Sequence, residues 1–205
     1  MIRPKHPRDS AETFERIVDS AMALIANEGA KELSLRRVAS ASGCSLGTVQ
    51  YYFPSKDSLI DSCLRRQNDT LRLRGERMLA EIASGKQPLD AVVDFVNDAF
   101  HHCCESRQLV RLRLIAIMQG DRLTQDGQER FLYLEARRLG DLVATAVPLE
   151  PSEARLVAQS VSALVARYSA FDPEELCSVV GTPRHADAIA AVEKHLARMI
   201  RRLLS

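Results

Sequence analysis

The chain has 205 residues, with 28 Lys+Arg against 27 Asp+Glu for a net charge of +1, 46% hydrophobic residues and no tryptophan. That length holds one large or two small domains, and the apolar content suffices for a substantial core of helices packed through Leu, Ala and Val. No apolar run approaches the roughly 18 residues that span a bilayer. The start MIRPKHPRD lacks the apolar core of a signal peptide. The five cysteines (44, 63, 103, 104 and 177) show no CxxC spacing, which fits reduced thiols and not a disulfide framework. Together these features predict a cytoplasmic protein with no membrane partner.

Helical periodicity recurs along the chain, and no strand-like alternation interrupts it. The first helix is predicted over about 10–28, with Asp9 or Ser10 as cap and Phe14, Ile17, Val18, Ala21, Leu24 and Ile25 along one side. Ser34 caps a second helix through Leu35, Val38, Ala39 and Ser42, and Gly43 stops it. Ser45 caps a very short third helix from Leu46 to Phe53, and Pro54 stops that one. Ser55 caps a long fourth helix that runs to Ala83 and ends at Ser84-Gly85. Helix, tight glycine turn, helix is the helix-turn-helix motif, whose second helix enters the DNA major groove.

The third helix sorts into faces. Val49 and Phe53 are four apart and point inward, Thr48 and Tyr52 share a second side, and Gly47 and Tyr51 a third, with Gln50 between the outward groups. Polar-tipped aromatics, an amide and a hydroxyl on an exposed face suit phosphate and base-edge contacts. Residues 1–60 hold eight Lys/Arg against seven Asp/Glu, but the charges are segregated. Arg3, Lys5 and Arg8 lie in a proline-broken arm and Arg36, Arg37 and Lys56 at the motif. Glu12, Glu15, Asp19 and Glu28 lie on the first helix, away from the proposed groove face.

Ser34, Arg36, Val38, Ala39, Gly43, Ser45, Gly47, Thr48, Tyr52, Phe53, Lys56 and Leu59 stand in one register that resembles the tetracycline-repressor (TetR) family over about the first 60 residues. Cys44 stands where that family usually has valine, and Gln50 where it usually has tyrosine or leucine. The resemblance implies an all-α homodimer. Residues 1–54 would form a helix-turn-helix DNA-binding domain, and residues 55–205 an effector-binding and dimerisation domain. It implies that Gly47, Gln50 and Tyr51 face bases, with Leu46 against a thymine methyl. Thr48, Tyr52 and Lys56 would hold phosphates, and Arg36 a guanine edge or a phosphate. Ser45, at the start of the helix, belongs to the same contact set. The implied partners are a palindromic double-stranded operator and a small-molecule effector that releases the repressor from it.

In the remainder, a fifth helix follows Pro88, with Leu89, Val92, Val93, Val96, Phe100 and Cys103 inward. A sixth is predicted over about 108–119, a seventh over about 124–147, an eighth from Pro151 to about Ala170 and a last over about 184–204. That makes about nine helices, with 171–183 as a connection containing a short helical turn. Val157, Val161 and Leu164 on the eighth and Ile189, Val192, Leu196, Met199 and Leu203 on the last form wide apolar stripes. These serve either as internal core or as a four-helix dimer interface. An effector pocket needs apolar walls and a few polar groups. Phe100, Cys103 and Met118 are the candidate walls, with His101, Arg111, Gln119, Tyr133, Arg137 and Tyr168 as polar contacts.

The run His101-His102-Cys103-Cys104 raises an alternative, a redox- or metal-responsive regulator. Four adjacent residues fan around a helix, however, so at most two converge, and no metal or cofactor is expected. A DNA binder without a small-molecule effector is the other alternative. No nucleophile motif, glycine-rich phosphate cradle or HExxH is present, so no enzyme is expected.

Overall fold

The computed structural model describes residues 7–119 and 149–204, with positions 140, 141, 143–145 and 147 between them. The described residues form α1 (Pro7–Glu28), a 3-10 turn at Ala30–Glu32, α2 (Leu35–Ser42), α3 (Leu46–Tyr52) and α4 (Lys56–Ala83). They continue through α5 (Pro88–Glu105), α6 (Arg107–Gln119), α7 (Pro151–Ala170), α8 (Pro173–Val180) and α9 (His185–Leu203). The fold is all-α, a helix-turn-helix head on a larger helical body. The helix expected over about 124–147 lies largely outside the described residues. No helix among those described is long and apolar enough to cross a membrane.

Local chemistry sets the boundaries. Ser34 Oγ accepts from the Arg37 N–H at 3.3 Å, and Gly43 ends α2 in the left-handed region at φ 66°, a conformation open to glycine at little strain. Ser45 Oγ accepts from the Thr48 N–H at 3.0 Å, and Ser55 forms a reciprocal capping box with Ser58. Helix α3 ends one residue sooner than expected. Phe53 is extended (φ −134°) because it precedes Pro54. Helix α1 begins at Pro7 rather than near Ser10, since proline suits a first turn. Within the expected connection, α8 is a full helix of 8 residues: Asp172 and Glu175 cap each other, Pro173 sets the first turn and Gly181 closes it.

Two cores organise the helices. In the head, Ile17, Val18, Ala21 and Ile25 of α1 meet Val38, Val49, Phe53 and the first turns of α4 (Leu59, Ile60, Cys63, Leu64). In the body, Met78 of α4 joins Val92, Val96 and Phe100 of α5, Val157 and Val161 of α7, Leu176 of α8, and Val192, Leu196 and Ile200 of α9. Helix α6 belongs to both, since Leu109 seats in the head core and the adjacent Val110 in the body core.

The apolar stripes expected to form a dimer interface are divided differently. Val157, Val161, Val192 and Leu196 are buried in the protomer's own core, Leu196 completely (0% exposed). Of the two roles open to the stripes, these four residues take the internal one within the protomer. A stripe this wide has an inner edge, and α5 covers it. Leu164, Ile189 and Met199 are half-buried and Leu203 is exposed. On the outer side of α7, Leu156 stands 66% exposed.

Candidate nucleic-acid interface and effector site

Helix α3 has one strongly anchored side. Val49 and Phe53 are buried, and the Phe14 ring of α1 lies 5.1 Å from Phe53. With that side fixed, Gly47, Gln50 and Tyr51 point to solvent, and Tyr51 is 82% exposed. Leu46, Thr48 and Tyr52 are half-buried at the margins. A Cβ added at Gly47 would meet only Ser45 Oγ, at 3.9 Å. Nothing among the described residues therefore requires glycine at that exposed position.

The flanking groups are partly engaged. Thr48 Oγ1 and Ser45 Oγ share a hydrogen bond of 2.8 Å, and Lys56 Nζ donates to the Lys31 carbonyl at 3.1 Å. An ammonium has three protons, so Lys56 keeps two for an anion. Arg36 is exposed on α2. Its neighbour Arg37 is committed to the head, paired with Glu28 and donating to the Glu32 carbonyl at 3.1 Å. Arg66 of α4 pairs with Glu15 and Asp19, so an internal cation offsets those acids of α1. This charge pattern was not legible in the linear sequence.

The expected effector residues that are described do not come together as one set. Phe100 is fully buried and Cys103 sits beside it in the body core. His101 turns outward, its Nε2 2.6 Å from Glu193 Oε1 of α9. Arg111 donates from Nε to the Ala170 carbonyl at 2.6 Å and from Nη2 to Glu175 at 3.3 Å. It thus ties α6 to the α7–α8 corner. Tyr168 is half-buried, edge-on to His195 at 6.2 Å. Tyr133, Arg137 and the side chains of Met118 and Gln119 lie outside the described residues. His101 and Arg111 both make helix-to-helix contacts here.

A buried polar group that sequence reasoning missed lies between α4, α5 and α6. Gln67 is 1% exposed, its Nε2 donates to Ser106 Oγ at 2.6 Å, and Ser106 Oγ donates to the His102 carbonyl at 2.7 Å. The neighbouring Asn68 Oδ1 accepts from Arg113 Nη1 at 3.0 Å. Gln67 Oε1 and His102 Nε2 are buried and have no hydrogen-bond partner among the described residues. A buried acceptor left unpaired costs about 1–3 kcal/mol. The signal was present in the sequence, because Gln67 interrupts an apolar face between Leu64 and Leu71 at helical spacing.

The His/Cys run diverges. His101 points out to Glu193 and Cys103 into the core, and no group of three or more His, Cys, Asp or Glu that could hold a metal occurs among the described residues. Burial pushes the Cys103 and Cys104 thiols up to about 11 each. Both are therefore thiols at neutral pH, whereas the thiolate is the nucleophile and metal ligand.

Burial, then the nearby Arg74 charge, pulls His102 below the ordinary histidine pKa. The unfolded chain then takes up this proton at a higher pH than the folded protein. The stability contribution is complete above the unfolded value of about 6.5 and is lost as pH falls from there toward the lowered folded value. Thermal midpoints should thus decline over that acidic window in wild type and decline less in His102→Asn. Parallel curves for the two proteins would remove His102 from the account.

The family model for bacterial regulatory proteins of the tetR family matches residues 17–63, from α1 into the first turns of α4. The HTH-type transcriptional repressor KstR of Rhodococcus jostii is 29% identical over 126 residues, 61% of this chain and 50% of that protein. The chain thus spans about half the length of that curated relative. The HTH-type transcriptional regulator BetI of Brucella canis is 24% identical over 197 residues, 93% of this chain and 94% of that protein. Among solved structures, a putative TetR-family transcriptional regulator from Rhodococcus sp. superposes with a TM-score of 0.67 at 20% identity, covering 95% of this chain and 100% of that one. A putative transcriptional regulator from Saccharomonospora viridis, in complex with choline, gives a TM-score of 0.62 at 19% identity, covering 93% and 96%. The head thus matches the family model for bacterial regulatory proteins of the tetR family over residues 17–63, and the helical body follows the fold of the solved Rhodococcus sp. regulator over 95% of the chain.

Proposed function

We propose that this chain is a sequence-specific DNA-binding transcriptional repressor. It acts as a homodimer on a palindromic operator and is released by a small-molecule effector held in the body. The observation that carries the reading is α3 itself. Its apolar side is locked by Val49 and Phe53, and its opposite side offers Gly47, Gln50 and the 82% exposed Tyr51 to solvent. Gly47 permits close approach of a sugar-phosphate backbone, Gln50 suits the paired donor and acceptor of an adenine edge, and Lys56 and Arg36 supply charge for phosphates. The names of the relatives, repressors and regulators of the helix-turn-helix type, support the same reading.

For the partner surface we assign what the protomer core leaves over: Leu156 and Leu164 of α7 with Met199 and Leu203 of α9. For coupling, α4 and α6 each pack into both cores, so an effector that shifts them in the body also shifts the head. Such coupling is reciprocal: a ligand that weakens DNA binding is itself bound less tightly by the DNA complex. The choline bound to the S. viridis regulator and the buried Gln67 amide favour an apolar small molecule carrying a polar head.

The test is selection from a random-sequence duplex pool, followed by fluorescence anisotropy over a range of salt. Lys56→Ala should weaken binding to every duplex and reduce the salt slope by about one. Gln50→Ala should change base preference at one position in each half-site, by about 1–3 kcal/mol. Failure of the wild type to enrich any sequence would overturn the reading.

A further inference from the structure

Helix α3 contains 7 residues and buries only Val49 within its span. So short a helix has few contacts to fix its rotation, yet rotation decides which side chains meet the groove. Beside the buried Val49 and Phe53, Tyr52 supplies a second fastening. Its hydroxyl donates to the Ser10 carbonyl of α1 at 3.1 Å, and the Ser10 and Tyr52 hydroxyls lie 3.0 Å apart. A phenol carries one proton. With that proton on the Ser10 carbonyl, the second contact is satisfied when Ser10 Oγ–H donates to the phenolic oxygen. Phe14 adds an edge-on contact to the Tyr52 ring at 6.1 Å.

This proton count bears on how DNA is held. A phosphate oxygen only accepts hydrogen bonds, and the Tyr52 proton is already committed within the protomer. The hydroxyl of the adjacent Tyr51 makes no hydrogen bond among the described residues, and its ring rests edge-on against Tyr52 at 5.2 Å. The orientation of Tyr52 is thereby passed to Tyr51, 82% exposed on α3. We infer that Ser10 is a positioning residue for DNA recognition, holding Tyr52, and through it Tyr51, in the orientation that α3 presents to the groove. This rests on the DNA-binding reading above and replaces the expected phosphate contact of Tyr52 with an internal one.

The experiment compares two probes on each variant: the duplex enriched by wild type from a random pool, and the unselected pool. Tyr52→Phe removes both hydrogen bonds and should weaken binding to the selected duplex about tenfold, while pool binding stays within about twofold. Ser10→Ala removes one bond and should weaken selected binding about threefold. The double variant should be no weaker than Tyr52→Phe alone, because the two changes delete a shared contact. Ser10→Thr keeps the hydroxyl and should restore the wild-type ratio. The ratio of the two affinities is independent of the folded fraction, so a merely structural loss moves both probes alike and leaves it unchanged. Equal weakening of both probes by Tyr52→Phe with no effect of Ser10→Ala would make Tyr52 a phosphate donor and overturn the inference. An unchanged ratio in both variants would overturn it as well. Should wild type enrich no sequence, the DNA-recognition reading fails first, and visibly so, before any variant is made.

Discussion

Leu196→Glu is expected to abolish the folded protein, not merely its assembly. Leu196 is completely buried in the core shared by α9 with α5 and α7. Replacing it forfeits roughly 1.5–3 kcal/mol of apolar burial and places a carboxylate in an apolar core, at a further cost of several kcal/mol. Domains are stable by only about 5–15 kcal/mol. Circular dichroism should therefore show lost helix or a greatly lowered melting temperature, and gel filtration should show aggregate. Leu156→Glu is the contrast. Leu156 is 66% exposed, so its replacement should leave the melting of the protomer close to wild type while sedimentation shifts from dimer to monomer. A well-folded Leu196→Glu monomer would mean that the last helix packs against a partner and not against its own chain.

A second pair of substitutions separates fold from recognition within three residues. Phe53→Ala empties the centre of the head, where the ring is 2% exposed and stacks near Phe14. Truncations of buried phenylalanine cost about 3–5 kcal/mol, so the head should melt well below its wild-type temperature and DNA binding should vanish with it. Tyr51→Ala removes a ring that is 82% exposed. It should change stability by less than about 0.5 kcal/mol and still weaken binding to the selected duplex. Hydrogen exchange across α1–α3, run beside anisotropy, reads both effects. Intact protection in Phe53→Ala, or unaltered DNA affinity in Tyr51→Ala, would contradict the division of α3 into a packed and a reading side.

The head was legible because its signals are local. Capping serines at 34, 45 and 55, the left-handed Gly43 and the helix stop at Pro54 act within a turn or so of themselves. The side of α3 that carries Val49 and Phe53 follows from a spacing of four residues. The same holds for Pro88 and Pro151 at the starts of α5 and α7. The expected effector set was not legible in this way. Periodicity says which side of α5 carries His101, but not that Glu193 stands opposite it. It also does not say that Arg111 is drawn to a helix end and a carboxylate at the α7–α8 corner.

Sequence by itself therefore determined the element order of the head, the helix-turn-helix and its two-sided third helix, because short-range sterics and hydrogen bonding decide those. Tertiary structure alone decided how the wide stripes of α7 and α9 divide between protomer core and outer surface. Burial is set by what packs on top, and an apolar residue is equally content under α5 or under a partner. It also decided that Tyr52 bonds to Ser10, 42 residues away, and that Gln67 lies buried against Ser106. Hydrogen bonds between helices depend on distances that no local spacing encodes.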